Sequence, residues 1–367
     1  MKRILLLSGS LKLSGVVTWL LHMQTGFLAS GADLVFLVLN KKTDIHPAQS
    51  PVFYTGRART APFLRILHCL QLHRVFPRWY ARKEEEEINR RVEKILTSIH
   101  WQDRIDLVVK VFDKMPPKCL RKYPTIETIH SILSQDMSDF KKITSQKTSD
   151  HAHFIVPISN VAAADAQSLG LSVSKVIYNP LSVEELKRTS ELFTPQTKRP
   201  YIVFVGRLHN DKGVDGLLRA FAVLKADVDL VYIGNGSEMT TLQNVARSLG
   251  VQDRVHFPGF QTNPYPWIRH AKLLVLPSIS EAMSYVPLEA FVLGCGIVVS
   301  DFPAAYEFFV EDVIVPRLPA DDYIERLARK ISSGLAGELP PGGKPGILEK
   351  MEPCRVAEQY LALVQDP

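Results

Sequence analysis

The sequence predicts an α/β protein of two domains, each built on a parallel sheet, and three observations predict it. The chain opens on a strand, loop, helix, strand unit: Lys2 to Ser8 is an apolar run, Gly9 to Gly15 a glycine-bounded loop, Val16 to about Ala29 a helix, and Asp33 to Leu39 a second strand. A second apolar start, Tyr201 to Val205, restarts the same alternation after the polar, helix-prone stretch Ser182 to Lys198. The length, 367 residues, exceeds what one ordinary hydrophobic core serves. Domains are therefore expected at 1–180 and 195–350, with a last helix, about 351–367, packing back on the first.

Bulk composition narrows the class. Hydrophobic residues make up 46% and charged residues 22%, the balance of a globular protein in water. No apolar run approaches the roughly eighteen residues of a membrane-spanning helix, and Met1 to Leu7 is too short for a signal sequence, so a cytoplasmic location is expected. The cysteines, Cys69, Cys119, Cys295 and Cys354, are widely spaced without a metal-ligand pattern and read as reduced packing residues. The net charge of +6 is uneven, since Lys41, Lys42, Arg57, Arg59, Arg65, Arg74, Arg78, Arg82 and Lys83 crowd the first quarter. Mixed with the aromatic and aliphatic residues of 51–82, these suit either amphipathic helices with a solvated basic face or peripheral contact with an anionic membrane or acidic acceptor.

Further along the first half, Lys83 to Glu87 opens a helix reaching about His100, and Ile105 to Phe112, Thr125 to His130 and Phe154 to Ser159 read as strands. A helix from Asn160 to about Leu169 follows, and Lys175 to Tyr178 is expected to close the sheet. His130 falls at the C-terminal tip of its strand, where active sites of parallel sheets gather. The first loop lacks the spacing of a dinucleotide fingerprint, which disfavours a nicotinamide dehydrogenase. Gly15 is either a plain turn glycine or a place where backbone meets a phosphate.

The second half carries the chemistry. Arg207 follows the Tyr201 strand, and Lys212-Gly213 precedes a helix from Val214 to about Ala226; two cations at a strand-to-helix turn neutralise a diphosphate. The strand Leu230 to Ile233 runs into Gly234, where backbone approaches a ligand, and Val255 to Phe257 runs toward Phe260, an aromatic that either flanks a base or joins the core. After the strand Leu273 to Leu276 come Glu281 and Glu289, eight positions apart, the second in the first turn of a helix spanning about Pro287 to Leu293. Proline suits the first helical position, and Gly294 suits the left-handed position past the end. The unpaired amides opening this helix favour an anion, and carboxylates beside it accept hydrogen bonds from a sugar diol. Phosphate beside polyol indicates a nucleotide sugar. The alternative makes Glu289 a helix-terminal charge and Glu281 a solvated acid.

Val205-Gly206-Arg207-Leu208 through Lys212-Gly213, Gly234-Asn235-Gly236, Phe257-Pro258-Gly259, Ser280-Glu281 through Pro287-Leu288-Glu289-Ala290, and Gly294-Cys295-Gly296 through Ser300 occur in the order found in family 4 retaining glycosyltransferases. The resemblance is strong from about 201 to 310 and looser before, resting on Gly15, Thr128-Ile129-His130, Pro157-Ile158-Ser159-Asn160 and Tyr178-Asn179-Pro180. It implies a GT-B fold, two Rossmann-like domains facing across a cleft, the second holding a nucleotide-diphosphate sugar and the first the acceptor. By position, Arg207 and Lys212 would hold the diphosphate and support the leaving nucleotide. Glu281, with Met283, Ser284 and Tyr285, would hold the donor sugar, Glu289 the ribose, and Gly15 would approach the phosphates; His130 matches a histidine near the reacting sugar.

The resemblance further implies transfer with retained anomeric configuration, no metal or other cofactor, and a glycan or glycolipid acceptor in lipopolysaccharide or other surface-polysaccharide synthesis, at the inner face of the cytoplasmic membrane. No nucleic acid partner is expected. Ala282 and Ser284 stand where the family often has glycine, and Ser14-Gly15 where it often has two glycines. Two alternatives stay in view: a nucleotide-sugar epimerase of the same fold, over which the motif order around Arg207, Lys212 and Glu289 favours transfer, and a nucleotide-sugar-binding protein without turnover, motivated by Ala282 and Ser284.

Overall fold

The computed structural model describes residues 1–8, 15–39, 50–55, 77–111, 117–135, 153–318 and 320–365. They divide into two compact units, Met1–Leu181 with Glu349–Pro367, and Ser182–Leu348.

The first unit is built on β1 (Arg3–Ser8), β2 (Asp33–Val38), β3 (Val52–Tyr54), β4 (Leu107–Val111), β5 (Thr125–Ile129) and β6 (His153–Pro157). They form one sheet in the order β3-β2-β1-β4-β5-β6, every ladder parallel. Ile4, Leu5, Leu6 and Leu7 are all buried, as a parallel sheet covered on both faces requires. The helix Gly15–Ala29 covers one face and packs against the C-terminal helix Pro353–Leu363, where Tyr360 meets the rings of Trp19 and Phe27, each at 6.4 Å between centroids.

Several expectations for this half are corrected. Lys175 to Tyr178 is not a strand; it runs beside β6 through Ser174 N to Ile155 O and Ile177 N to Pro157 O without forming a ladder. The sheet ends on that side at β6, and its opposite edge is Val52–Tyr54, three residues, too short for alternation to reveal. The helix expected from Lys83 begins at Pro77 and ends at Ser98, because proline is tolerated where the first amides have no partner. Arg82 and Lys83 both pair with Glu86 on this helix. The basic residues Lys41, Lys42, Arg57, Arg59, Arg65 and Arg74, and the loop 9–14, lie outside the described residues. Among the described residues no helix is long and apolar enough to cross a membrane.

The second unit repeats the plan with β7 (Tyr201–Val205), β8 (Asp229–Ile233), β9 (Val255–Gly259), β10 (Leu273–Leu276), β11 (Gly296–Ser300) and β12 (Ile314–Val315). Their order, β12-β11-β10-β7-β8-β9, is again fully parallel. Both sheets start centrally, grow to one side, then cross back and grow to the other, so each has a point of reversal: between β1 and β4, and between β7 and β10. The polar stretch after Leu181 forms the helix Val183–Ser190, started by the Ser182 hydroxyl accepting from Glu185 N at 3.4 Å. The helix expected to reach Ala226 spans Val214–Ala222.

Candidate active site

Each residue singled out in the second half follows a strand of one parallel sheet, so all lie along its C-terminal edge. Arg207 follows β7, Gly234 follows β8, Phe260 follows β9, and Glu281 follows β10. Backbone hydrogen bonds stitch the loops of that edge together: Leu208 N to Asn235 O at 3.0 Å, Gly234 N to Gly259 O at 3.0 Å, and Ile279 N to Asp211 O at 2.8 Å. A Cβ on Gly234, whose φ is 139°, would stand 1.9 Å from Gly206 O, and one on Gly213 would stand 2.1 Å from Pro277 O. The backbones approach so closely that only glycine fits, which fixes the spacing of the loops.

Lys212 ends a short 3-10 turn, Asn210–Lys212, and reaches across the point of reversal to Glu281, Nζ to Oε1 2.7 Å, both side chains mostly buried. Arg207 is more exposed and pairs with Asp211 at 3.2 Å; His209 Nδ1 meets the same carboxylate at 2.7 Å. The expected cation pair and the first acid thus converge on one edge, and Asp211 and His209 join them. Sequence reasoning passed over those two, although they lie within the segment between Arg207 and Lys212.

The helix after β10 spans Tyr285–Val292, two residues earlier than expected. Pro287 is its third residue, still within the first turn, where amides lack intrahelical partners and proline removes nothing. Gly294 has the expected positive φ, 74°. The shift moves Glu289 into the second turn and buries it to 4% exposure. Its carboxyl accepts from the Tyr265 hydroxyl at 3.3 Å. Burial pushes its pKa up to about 7, against the smaller opposing effect of the Tyr265 hydrogen bond. Glu289 is therefore neither a solvated helix charge nor fully ionised in neutral solution. Tyr265, which opens the helix Tyr265–His270, carried no signal in the sequence.

Met283, Ser284 and Tyr285 are buried in the turn into the Glu289 helix, and Ala282 precedes them at 5% exposure. Ser284 occupies the N-cap position, yet its side chain makes no capping hydrogen bond. Phe260 follows Gly259, whose carbonyl accepts from Gly234 N, and at 44% exposure is not a core aromatic.

In the first unit, Gly15 is the first residue of its helix, exposed, with nothing within 4 Å of where a Cβ would stand. His130 directly follows β5; its Nε2 lies 2.9 Å from Thr128 Oγ1 and its ring meets Trp19 edge-on at 5.1 Å. Burial depresses its pKa to about 3, so the ring is neutral in ordinary buffers. A buried ion pair that the sequence reading missed crosses the same sheet: Lys110 Nζ to Glu127 Oε1 3.0 Å, each side chain 1% exposed, with His153 Nε2 3.4 Å from the other carboxyl oxygen.

Residues 187–341, within the second unit, match the family model Glycosyl transferases group 1. Over 165 residues the chain is 30% identical to the N-acetylgalactosamine-N,N'-diacetylbacillosaminyl-diphospho-undecaprenol 4-alpha-N-acetylgalactosaminyltransferase of Campylobacter jejuni, a match spanning 44% of this chain and 45% of that protein. Over 199 residues it is 28% identical to the lipopolysaccharide 1,6-galactosyltransferase of Salmonella typhimurium, spanning 50% of this chain and 53% of that protein. The matches thus span about half the length of these curated relatives. The structure of the lipopolysaccharide outer core galactosyltransferase WaaB, in its apo form, covers 100% of this chain and 99% of its own at a TM-score of 0.66 and 19% identity. That likeness is one of fold, the GT-B type of two parallel-sheet, Rossmann-like domains. Residues 187–341 are a glycosyl transferases group 1 domain on a GT-B fold.

Proposed function

We propose that the protein is a retaining glycosyltransferase that moves a sugar from a nucleotide-diphosphate sugar to a glycan or glycolipid acceptor in surface-polysaccharide synthesis. The observation that carries this reading is the Lys212–Glu281 pair across the point of reversal, with Arg207 on the same sheet edge. In this reading Lys212 and Arg207 meet the diphosphate, Glu281 with Met283, Ser284 and Tyr285 meets the donor sugar, Glu289 the ribose, and Phe260 flanks the base. Negative charge builds on the diphosphate as the glycosidic bond breaks, and two fixed cations stabilise that state more than the ground state. The departing phosphate takes the acceptor's proton on the same face, which retains configuration. The cations supply the neutralisation a divalent metal would otherwise provide, so no metal is required.

Gly15 and His130 belong to the acceptor side of the reading, Gly15 as a point of backbone approach to the donor phosphates and His130 as a neutral hydrogen-bonding group near the reacting sugar. The names of the Campylobacter and Salmonella relatives support a lipid-linked or lipopolysaccharide acceptor, met at the inner membrane face.

A second reading, donor binding without turnover, is favoured by the bulk of Ala282 and Ser284, buried beside the proposed sugar position. The experiment that separates them is a panel of UDP-, GDP- and ADP-sugars screened for thermal stabilisation and then for donor consumption. A ligand that binds the native state raises its melting point. Stabilisation with release of nucleoside diphosphate supports transfer; stabilisation without consumption supports the binding protein; no stabilisation by any donor rejects both.

A further inference from the structure

We propose that Tyr265 is a positioning residue for Glu289, holding one carboxyl oxygen so that the other is presented to the donor's ribose. This rests on the assignment of Glu289 to the ribose above. The Tyr265 hydroxyl donates to Glu289 Oε1 at 3.3 Å, and Oε2 has no hydrogen-bond partner among the described residues. A carboxyl group on a flexible stem has two equivalent oxygens, and a diol is held best by one fixed in direction.

Tyr265 is itself anchored. Its backbone N–H donates to Asn263 Oδ1 at 3.2 Å, while Asn263 Nδ2 donates to Thr189 O at 2.8 Å, on the helix Val183–Ser190. The helices Val183–Ser190, Tyr265–His270 and Tyr285–Val292 pack on one another. Asn263 thus ties the phenol's own backbone to the first helix of the unit, and the phenol ties Glu289 to both. Burial, and then the neighbouring Glu289, raise the Tyr265 pKa well above the usual phenol value, so the hydroxyl keeps its proton and acts as donor.

Arg269, His270 and Arg188, on the neighbouring helices, have partners of their own. On the helix Tyr265–His270, Arg269 is engaged by Ser190 and Glu191, and His270 Nδ1 by Pro266 O. On the helix Val183–Ser190, Glu185 pairs with Arg188, and its charge also acts on Tyr265. The strands beside the helix, Leu273–Leu276 and Gly296–Ser300, carry no ionisable side chain, and Cys295 directs its thiol to Ala271 O and Gly296 O.

The test measures donor affinity by calorimetry from pH 5.5 to 8.5, using the donor found by the panel and its 2′,3′-dideoxyribose analogue, for wild type and Tyr265→Phe. In the wild type, affinity rises with pH as Glu289 ionises, and the dideoxy analogue binds more weakly. In Tyr265→Phe the donor binds about tenfold more weakly near neutral pH, the midpoint of the pH dependence moves upward, and the penalty for removing the ribose hydroxyls shrinks. Asn263→Ala, which removes the anchor of the Tyr265 backbone but leaves the phenol in place, shifts the same quantities less. A Tyr265→Phe protein that discriminates ribose from dideoxyribose as the wild type does, with an unmoved midpoint, overturns the positioning role alone. A wild type that does not discriminate between the two donors overturns the ribose assignment of Glu289 itself.

Discussion

Lys212 Nζ stands 2.7 Å from Glu281 Oε1, and this contact joins the loop after β7 to the loop after β10, the two strands on either side of the reversal in strand order. The pair holds a cation and an acid side by side, both mostly out of water. In the proposed reading, a phosphate beside a hydroxylated ring would meet both.

Lys212→Ala is expected to lower kcat about 10²- to 10³-fold, the size of effect seen when one charge-stabilising contact is removed from a transition state. Far-UV circular dichroism should be unchanged, because Lys212 ends a short 3-10 turn outside the strands and α-helices. Single-turnover kinetics with the donor found by the panel checks this, and a rate within threefold of wild type removes Lys212 from the mechanism.

Glu289 makes stability depend on pH in a direction set by its raised pKa. The folded form holds the proton more tightly than the unfolded chain, so the contribution is most favourable below pH 4.5 and is lost as pH rises to about 7. Glu289→Gln should therefore gain stability relative to wild type across that window, by on the order of 3 kcal/mol at its upper end. Urea titrations of both proteins at pH 5 and pH 8 measure the difference, which should be larger at pH 8.

Gly15→Ala and Gly234→Ala separate a ligand contact from a structural one. No protein atom lies within 4 Å of a Cβ at Gly15, so alanine there should leave the melting temperature unchanged or slightly raised, and any loss of donor affinity reports the ligand's own approach. At Gly234 a Cβ would collide with Gly206 O, so alanine must displace the loops after β7 and β8 and lower stability and donor affinity together. Differential scanning calorimetry beside donor titration distinguishes the two patterns.

Lys110 and Glu127 face each other across β4 and β5, both almost wholly buried. Burial pushes the Glu127 carboxyl up, and His153 and Lys110 outweigh that, leaving it below the usual carboxylate value. Lys110→Met leaves Glu127 with His153 as its remaining basic neighbour and should cost about 3–5 kcal/mol. The double variant Lys110→Met with Glu127→Leu should recover most of that loss, and chemical denaturation of all three proteins completes the cycle.

The strands of both sheets were legible because they are continuous apolar runs, Ile4 to Leu7 and Tyr201 to Val205 among them, and burial on both faces demands that composition. The cations and acids of the second unit were legible because Arg207, Lys212 and Glu281 each follow such a strand within a few residues, where chain direction alone sends them to one edge. Local sequence thus determined two parallel α/β sheets and the segment order that matches the glycosyl transferases group 1 model. Tertiary structure decided the rest. The edge strand Val52–Tyr54 is too short to show a period, and Lys175 to Tyr178 has strand composition but does not complete a ladder beside β6. The partners Tyr265 for Glu289 and Glu127 for Lys110 are 24 and 17 positions away. A side chain's charge state follows from which distant groups surround it and how much water is excluded, and those are properties of packing, not of neighbours in the chain.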